Sequence, residues 1–147
     1  MKRVLGVAIV LSLALAGVGL AQAKPQAPMS KMAISTEADY SAVMKEVAST
    51  RGMLGKAITS ASEADAAKAA ARLEVLFKDV QAYWTGKKVD DAITFATGAV
   101  ASAGAITKAV AAHDMAAAGE ANTKLGAACM GCHTAHREKT AEGFKMK

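Results

Sequence analysis

After Pro28 the chain runs to Lys147 without another proline, and its apolar residues recur every three or four positions. Proline fixes φ and removes a backbone donor, so a long proline-free stretch with this period is free to be helical throughout. Nothing in it alternates apolar and polar residues over a useful length, so no sheet is expected.

Four helical stretches can be drawn. The first starts at Thr36-Glu37-Ala38-Asp39, a capping box with aspartate in place of glutamate, and carries Tyr40, Val43, Met44, Val47, Leu54, Ala57 and Ile58 as its stripe. The second starts with the same signal at Ser62-Glu63-Ala64-Asp65. Its stripe is Ala66, Ala69, Leu73, Leu76, Phe77, Val80 and Trp84, and Gly86 is expected to stop it. The third runs from about Asp90 to Ala112 with Val89, Ile93, Ala96, Val100, Ala103, Thr107 and Val110 on one side. Asp114 caps the fourth, which carries Met115, Ala118, Leu125, Ala128, Cys129, Cys132 and His133 on one face. Amphipathic helices of this length joined by short turns predict an all-α, antiparallel up-down-up-down four-helix bundle.

The N-terminus reads as a secretory signal. Met1-Lys2-Arg3 is a positive lead, Val4 to Leu20 an uncharged apolar run, and Ala21-Gln22-Ala23 a small-x-small cleavage site. The expected organisation is a signal over 1–23, an irregular lead-in over 24–35 holding both prolines, a four-helix domain over 36–140 and a tail over 141–147. Of the 147 residues, 124 follow Ala23, enough for one core. The mature protein is expected to be exported and periplasmic, with no stable membrane anchor.

Without Lys2 and Arg3 the 18 basic residues become 16 against 13 acidic ones, a net charge of +3. That is too mild to argue for a nucleic-acid partner. Aromatic residues make up 4% and alanine is the commonest residue, so the helices approach closely but few large side chains fill the core. A bound apolar body would supply that bulk.

Both cysteines fall in Cys129-Met130-Gly131-Cys132-His133, the attachment signature of a c-type haem. On a helix, positions i, i+3 and i+4 share a face, so both thiols and the imidazole point the same way. The thiols can form thioethers with the two porphyrin vinyl groups, and the imidazole can meet the iron as proximal ligand. Three other readings compete. A thioredoxin-like pair belongs after a strand at a helix start, in an α/β pattern absent here. A zinc site could count Cys129, Cys132, His133 and His136, but one helical segment cannot readily surround a tetrahedral ion. A disulfide across the pair leaves His133 unexplained.

With this motif near the C-terminus and four helices before it, the chain resembles the class II c-type cytochromes, the cytochrome c′-like family with its low-spin, methionine-ligated relatives. The motif continues as Thr134-Ala135-His136-Arg137, similar to the family's aromatic-Arg ending, with His136 in the aromatic place. The resemblance implies one covalent haem c enclosed by the bundle, a periplasmic location and a homodimer through the first two helices. It makes Met44 the distal residue. As an iron ligand Met44 would give a low-spin electron carrier that exchanges electrons with redox partner proteins. As packing it would leave a five-coordinate site for a diatomic gas, nitric oxide or carbon monoxide; the bland alternative is a flexible gap-filler.

Met53 is the next distal candidate, Met115 stands too far along the fourth stretch, and Met32 precedes the first helix. Arg137, one turn after His133, is read as a partner for a haem propionate or a neighbour of the proximal ligand. His136 is placed at the surface or pocket edge and His113 in a turn. Lys124, Arg137, Lys139, Lys145 and Lys147 form a basic patch that could steer an acidic redox partner or simply be a solvated face. Tyr40 is the one proton-bearing side chain on the first stripe, which offers no set of acid–base groups for enzyme chemistry.

Overall fold

A computed structural model describes residues 33–141 and 143–147; the expected signal and most of the lead-in lie outside them. The described chain is a mostly helical, four-helix protein. Its elements are α1 (Glu37–Thr59), α2 (Glu63–Lys87), α3 (Asp90–Ala111) and α4 (Met115–His136), then β1 (Arg137–Thr140) and β2 (Gly143–Met146).

The helix starts follow from their caps. Thr36 Oγ1 accepts from the Asp39 amide at 3.1 Å while Asp39 Oδ2 accepts from the Thr36 amide at 2.9 Å, a closed capping box. Asp114 Oδ1 accepts from the Ala117 amide at 2.8 Å. Ser62 departs from expectation: its hydroxyl donates to Asp65 Oδ2 at 2.8 Å and makes no cap to the backbone.

All three interhelical turns share one geometry. Ala61, Lys88 and His113 hold φ of 52°, 57° and 59°. The amide after each reaches back five residues: Ser62 to Ala57 O at 2.8 Å, Val89 to Trp84 O at 3.4 Å, and Asp114 to Ala109 O at 2.9 Å. These are Schellman closures without glycine in the left-handed position. Gly86 therefore does not stop α2; it stays helical, and Lys88 takes the left-handed conformation. The burial of Trp84 and the packing of Val89 against the core set the turn's register over the local preference for glycine.

The core lies where the stripes meet. The stripe of α2 is buried as read, from Ala66 to Trp84. On α3 the buried row is Ala92, Ala96, Ala99, Ala103, Ile106 and Val110. Ile93, Val100 and Thr107 are only half-buried, so the inward face is rotated from the one expected. Alanine rather than the larger residues faces inward because α3 packs closely against both α2 and α4. Contact between α1 and α4 is much sparser.

The C-terminus corrects the expectation of no sheet. β1 and β2 pair antiparallel with Arg137 opposite Met146 and Thr140 opposite Gly143, across the boundary drawn at residue 140. Strands of four residues are too short for alternation to register, and Gly143 takes a φ of +135° that only glycine adopts freely. The Lys147 amide adds a bond to His136 O at 3.0 Å, tying the hairpin to the end of α4.

A left-handed non-glycine residue costs about 1 kcal/mol relative to glycine. Ala61→Gly and Lys88→Gly should each raise stability by ~0.5–1 kcal/mol in urea unfolding. An unchanged midpoint for both would mean the turns are not strained.

Candidate functional site

The sparse contact between α1 and α4 leaves a cavity of about 1010 Å³. This is at the top of the ~300–1,000 Å³ range of small-molecule and cofactor sites. Tyr40, Met44, Val47 and Arg51 of α1 form one wall, and Ala128, Cys129, Cys132, His133 and His136 of α4 another. Phe77, Val80 and Trp84 of α2, with Phe95, Ala96 and Ala99 of α3, add apolar lining, and Arg137, Phe144 and Met146 of the hairpin complete it. The residues singled out from sequence, Cys129, Cys132, His133, Met44 and Arg137, thus line one space.

The helical spacing of the pentad puts both thiols and the imidazole on that wall. Both cysteines are free thiols. Burial pushes the Cys129 thiol up, opposed by the charge of Arg51 and a hydrogen bond from it. Cys132 is pushed up to about 11 by burial, then by the neighbouring Cys129 and by Asp91. Burial lowers the His133 imidazole, and the cations of Arg137 and Arg51 lower it further. The site thus presents protonated thiols and a neutral imidazole near neutral pH, and a neutral ring nitrogen is what a metal requires of histidine.

Gly131, between the thiols, permits a close approach. A Cβ there would collide with Phe95 Cε1 and stand 2.9 Å from Cδ1, so the ring of α3 rests against bare backbone. Met44 is half-buried against the core. Met53 is 56% exposed and absent from the cavity lining, which removes it as a distal candidate. Met115 packs half-buried at the start of α4, and Met32 lies outside the described residues.

Arg137 differs from its expected place. As α4 ends at His136, Arg137 is extended (φ −124°, ψ 135°) and does not continue the helical face. It lines the cavity nonetheless, with its guanidinium 3.7 Å from the Phe144 ring centre. That contact folds the tail over the cavity margin while leaving Phe144 59% exposed. His136 stands at the pocket edge: its Nε2 is 2.9 Å from Asp91 Oδ2 and its ring centre 5.2 Å from that of Trp84. His113 is in a turn as expected, with Nδ1 2.7 Å from Glu63 Oε2. In the basic patch Lys145 pairs with Glu138 at 3.1 Å, and Lys147 Nζ donates to Thr134 O at 3.2 Å.

Tyr40 lies in an aromatic cluster at one end of the cavity. Trp84 Nε1 donates to its hydroxyl at 3.1 Å, and the Tyr83 ring centre is 4.9 Å away. Burial pushes its phenol up to about 12, so it remains a proton-bearing hydrogen-bonding group. Among the described residues no group of three or more His, Cys, Asp or Glu side chains is arranged to hold a metal ion.

Sequence reading missed Arg51 and Phe95. Arg51 is seven residues after Met44, hence on the same helical face, and an arginine on an apolar face was the available signal. Phe95 gave no local signal, because its role depends on Gly131 of another helix.

Two measurements follow from this geometry. Gly131→Ala should destabilise the cofactor-free chain by about 1–3 kcal/mol, the usual cost of overpacking, and Phe95→Leu should recover part of the loss. A neutral Gly131→Ala in urea unfolding would mean that the ring contact is slack. The second concerns pH. His133 has a lowered value in the folded state, so below about 6.5 the unfolded chain takes up the proton first and stability falls. His133→Gln should reduce the decline between pH 7 and 5; an unchanged decline would show that this imidazole is not its source.

Compared with protein-family profiles, curated proteins and solved structures, the chain finds no match.

Proposed function

We propose that this protein is an exported monohaem c-type cytochrome, built as an antiparallel up-down-up-down bundle and serving as an electron carrier. The observation that carries the reading is the presence of Cys129, Cys132 and His133 on one wall of a large, largely apolar cavity that Met44 lines from another helix.

The residues present fit such a group. Cys129 and Cys132 are free thiols on one helical face and would hold it by two thioethers. His133 has the neutral imidazole a proximal ligand needs, and Met44 brings a thioether sulfur from α1. Phe77, Val80, Trp84 and Phe95 give the hydrocarbon surface a porphyrin buries against, in a domain whose own core is mostly alanine and leucine. When bound, haem supplies iron that interconverts between its ferric and ferrous states without a bond to substrate. His133 and Met44 would hold the iron from two different helices, so that little would reorganise when an electron moves. Partner proteins deliver and remove the electron, with the basic residues of the tail steering acidic surfaces.

The test is spectroscopic. When the chain is exported alongside a cytochrome maturation system, the product should be coloured, give a pyridine haemochrome of thioether-bonded haem, and be low-spin in both oxidation states without a carbon monoxide shift. Met44→Ala should make the ferrous form high-spin and responsive to carbon monoxide. If the parent protein already binds carbon monoxide, the protein is a binder of diatomic gas with Met44 as packing. A colourless product with the mass of the bare peptide overturns both readings.

A further inference from the structure

Arg51 is a charged group of the cavity wall that the preceding reading leaves unused. It projects from α1 into the wall, and its Nε is buried without a hydrogen-bond partner among the described residues. Among these residues no carboxylate forms an ion pair with it either. Its Nη2 lies toward α4 at Gly126, 3.4 Å from where a Cβ would stand, so a glycine opposite leaves room for the guanidinium. From there its charge bears on both the Cys129 thiol and the His133 imidazole. Guanidinium stays protonated in proteins, so Arg51 brings a fixed positive charge to the cavity wall.

We propose that Arg51 tunes the haem site electrostatically, its cation on the cavity wall favouring iron(II) over iron(III) and so raising the reduction potential. The inference rests on the haem reading above. On reduction one electron from a redox partner converts iron(III) to iron(II), and the iron–porphyrin centre loses one unit of positive charge. No bond forms or breaks and no proton moves. A fixed cation nearby repels the ferric form more than the ferrous one, and limited solvent access lets that difference persist. Arg51 is a tuning residue that acts through its field rather than as a ligand. The same field acts on the Cys129 thiol, which gives a measurement independent of haem.

The experiment uses Arg51→Met, which keeps length and removes charge, and Arg51→Lys, which keeps the charge. In the exported holoprotein, potentiometric titration should give a lower midpoint for Arg51→Met and one near the parent's for Arg51→Lys, with the low-spin spectrum unchanged in both. In the cofactor-free chain bearing Cys132→Ser, iodoacetamide should alkylate Cys129 several-fold more slowly at pH 8 after Arg51→Met, and Arg51→Lys should restore most of the rate. A coloured protein whose midpoint is unmoved by Arg51→Met overturns the assignment to Arg51 and leaves the haem reading standing. A colourless parent overturns the haem reading and the iron assignment with it, while the alkylation rates still report the field at Cys129.

Discussion

Unequal closure of the helix seams governs the rest of the structure. Alanines take four of the six buried positions of α3 and many of those of α2 and α4, and small side chains let two helices approach closely. The α2–α3 and α3–α4 seams are accordingly tight, whereas α1 makes little contact with α4. The space left between them is the cavity. The larger side chains, Leu54, Leu73, Leu76 and Ile106 among them, are fully buried in the core. The cavity instead draws on Phe77, Val80, Trp84 and Phe95, which give it an apolar lining. Alanine content thus determines both how the bundle closes and where it stays open.

Within this frame the pentad owes its chemistry to its helix. An i, i+3, i+4 spacing places two thiols and an imidazole toward the same opening, and Gly131 lets Phe95 press against the backbone between them. The charges around the pentad come from elsewhere: Arg51 from α1 and Arg137 from the first residue after α4. Both bear on His133 in the same direction as burial does. Three sources, close in space and distant or discontinuous in sequence, therefore keep the imidazole neutral.

Much of this was legible in the sequence, and the failures have identifiable causes. The capping box at Thr36 and the cap at Asp114 were readable because each is a local hydrogen bond between residues three apart. The stripe of α2 was readable because Leu73, Leu76, Phe77, Val80 and Trp84 recur at helical spacing and are all buried. On α3 Ile93 and Val100 attracted the assignment, but close packing favours Ala92 and Ala99, so size rather than hydrophobicity decided which face turned inward. Gly86 misled because the turn is fixed by where Trp84 and Val89 must pack, which is a tertiary matter. The hairpin escaped notice because eight strand residues interrupted by a turn carry too little pattern. Arg137 shifted with it, since helical spacing ceases to apply once the helix ends.

The three interhelical turns carry a consequence for the protein's lifetime. Ala61, Lys88 and His113 together place a burden on the order of 3 kcal/mol on a fold of this size, where total stability is typically about 5–15 kcal/mol. Against such a margin, a group attached in the gap beside α1 and contacting only the closed form would lower the share of open molecules. Proteases acting on open copies would then remove empty molecules before filled ones.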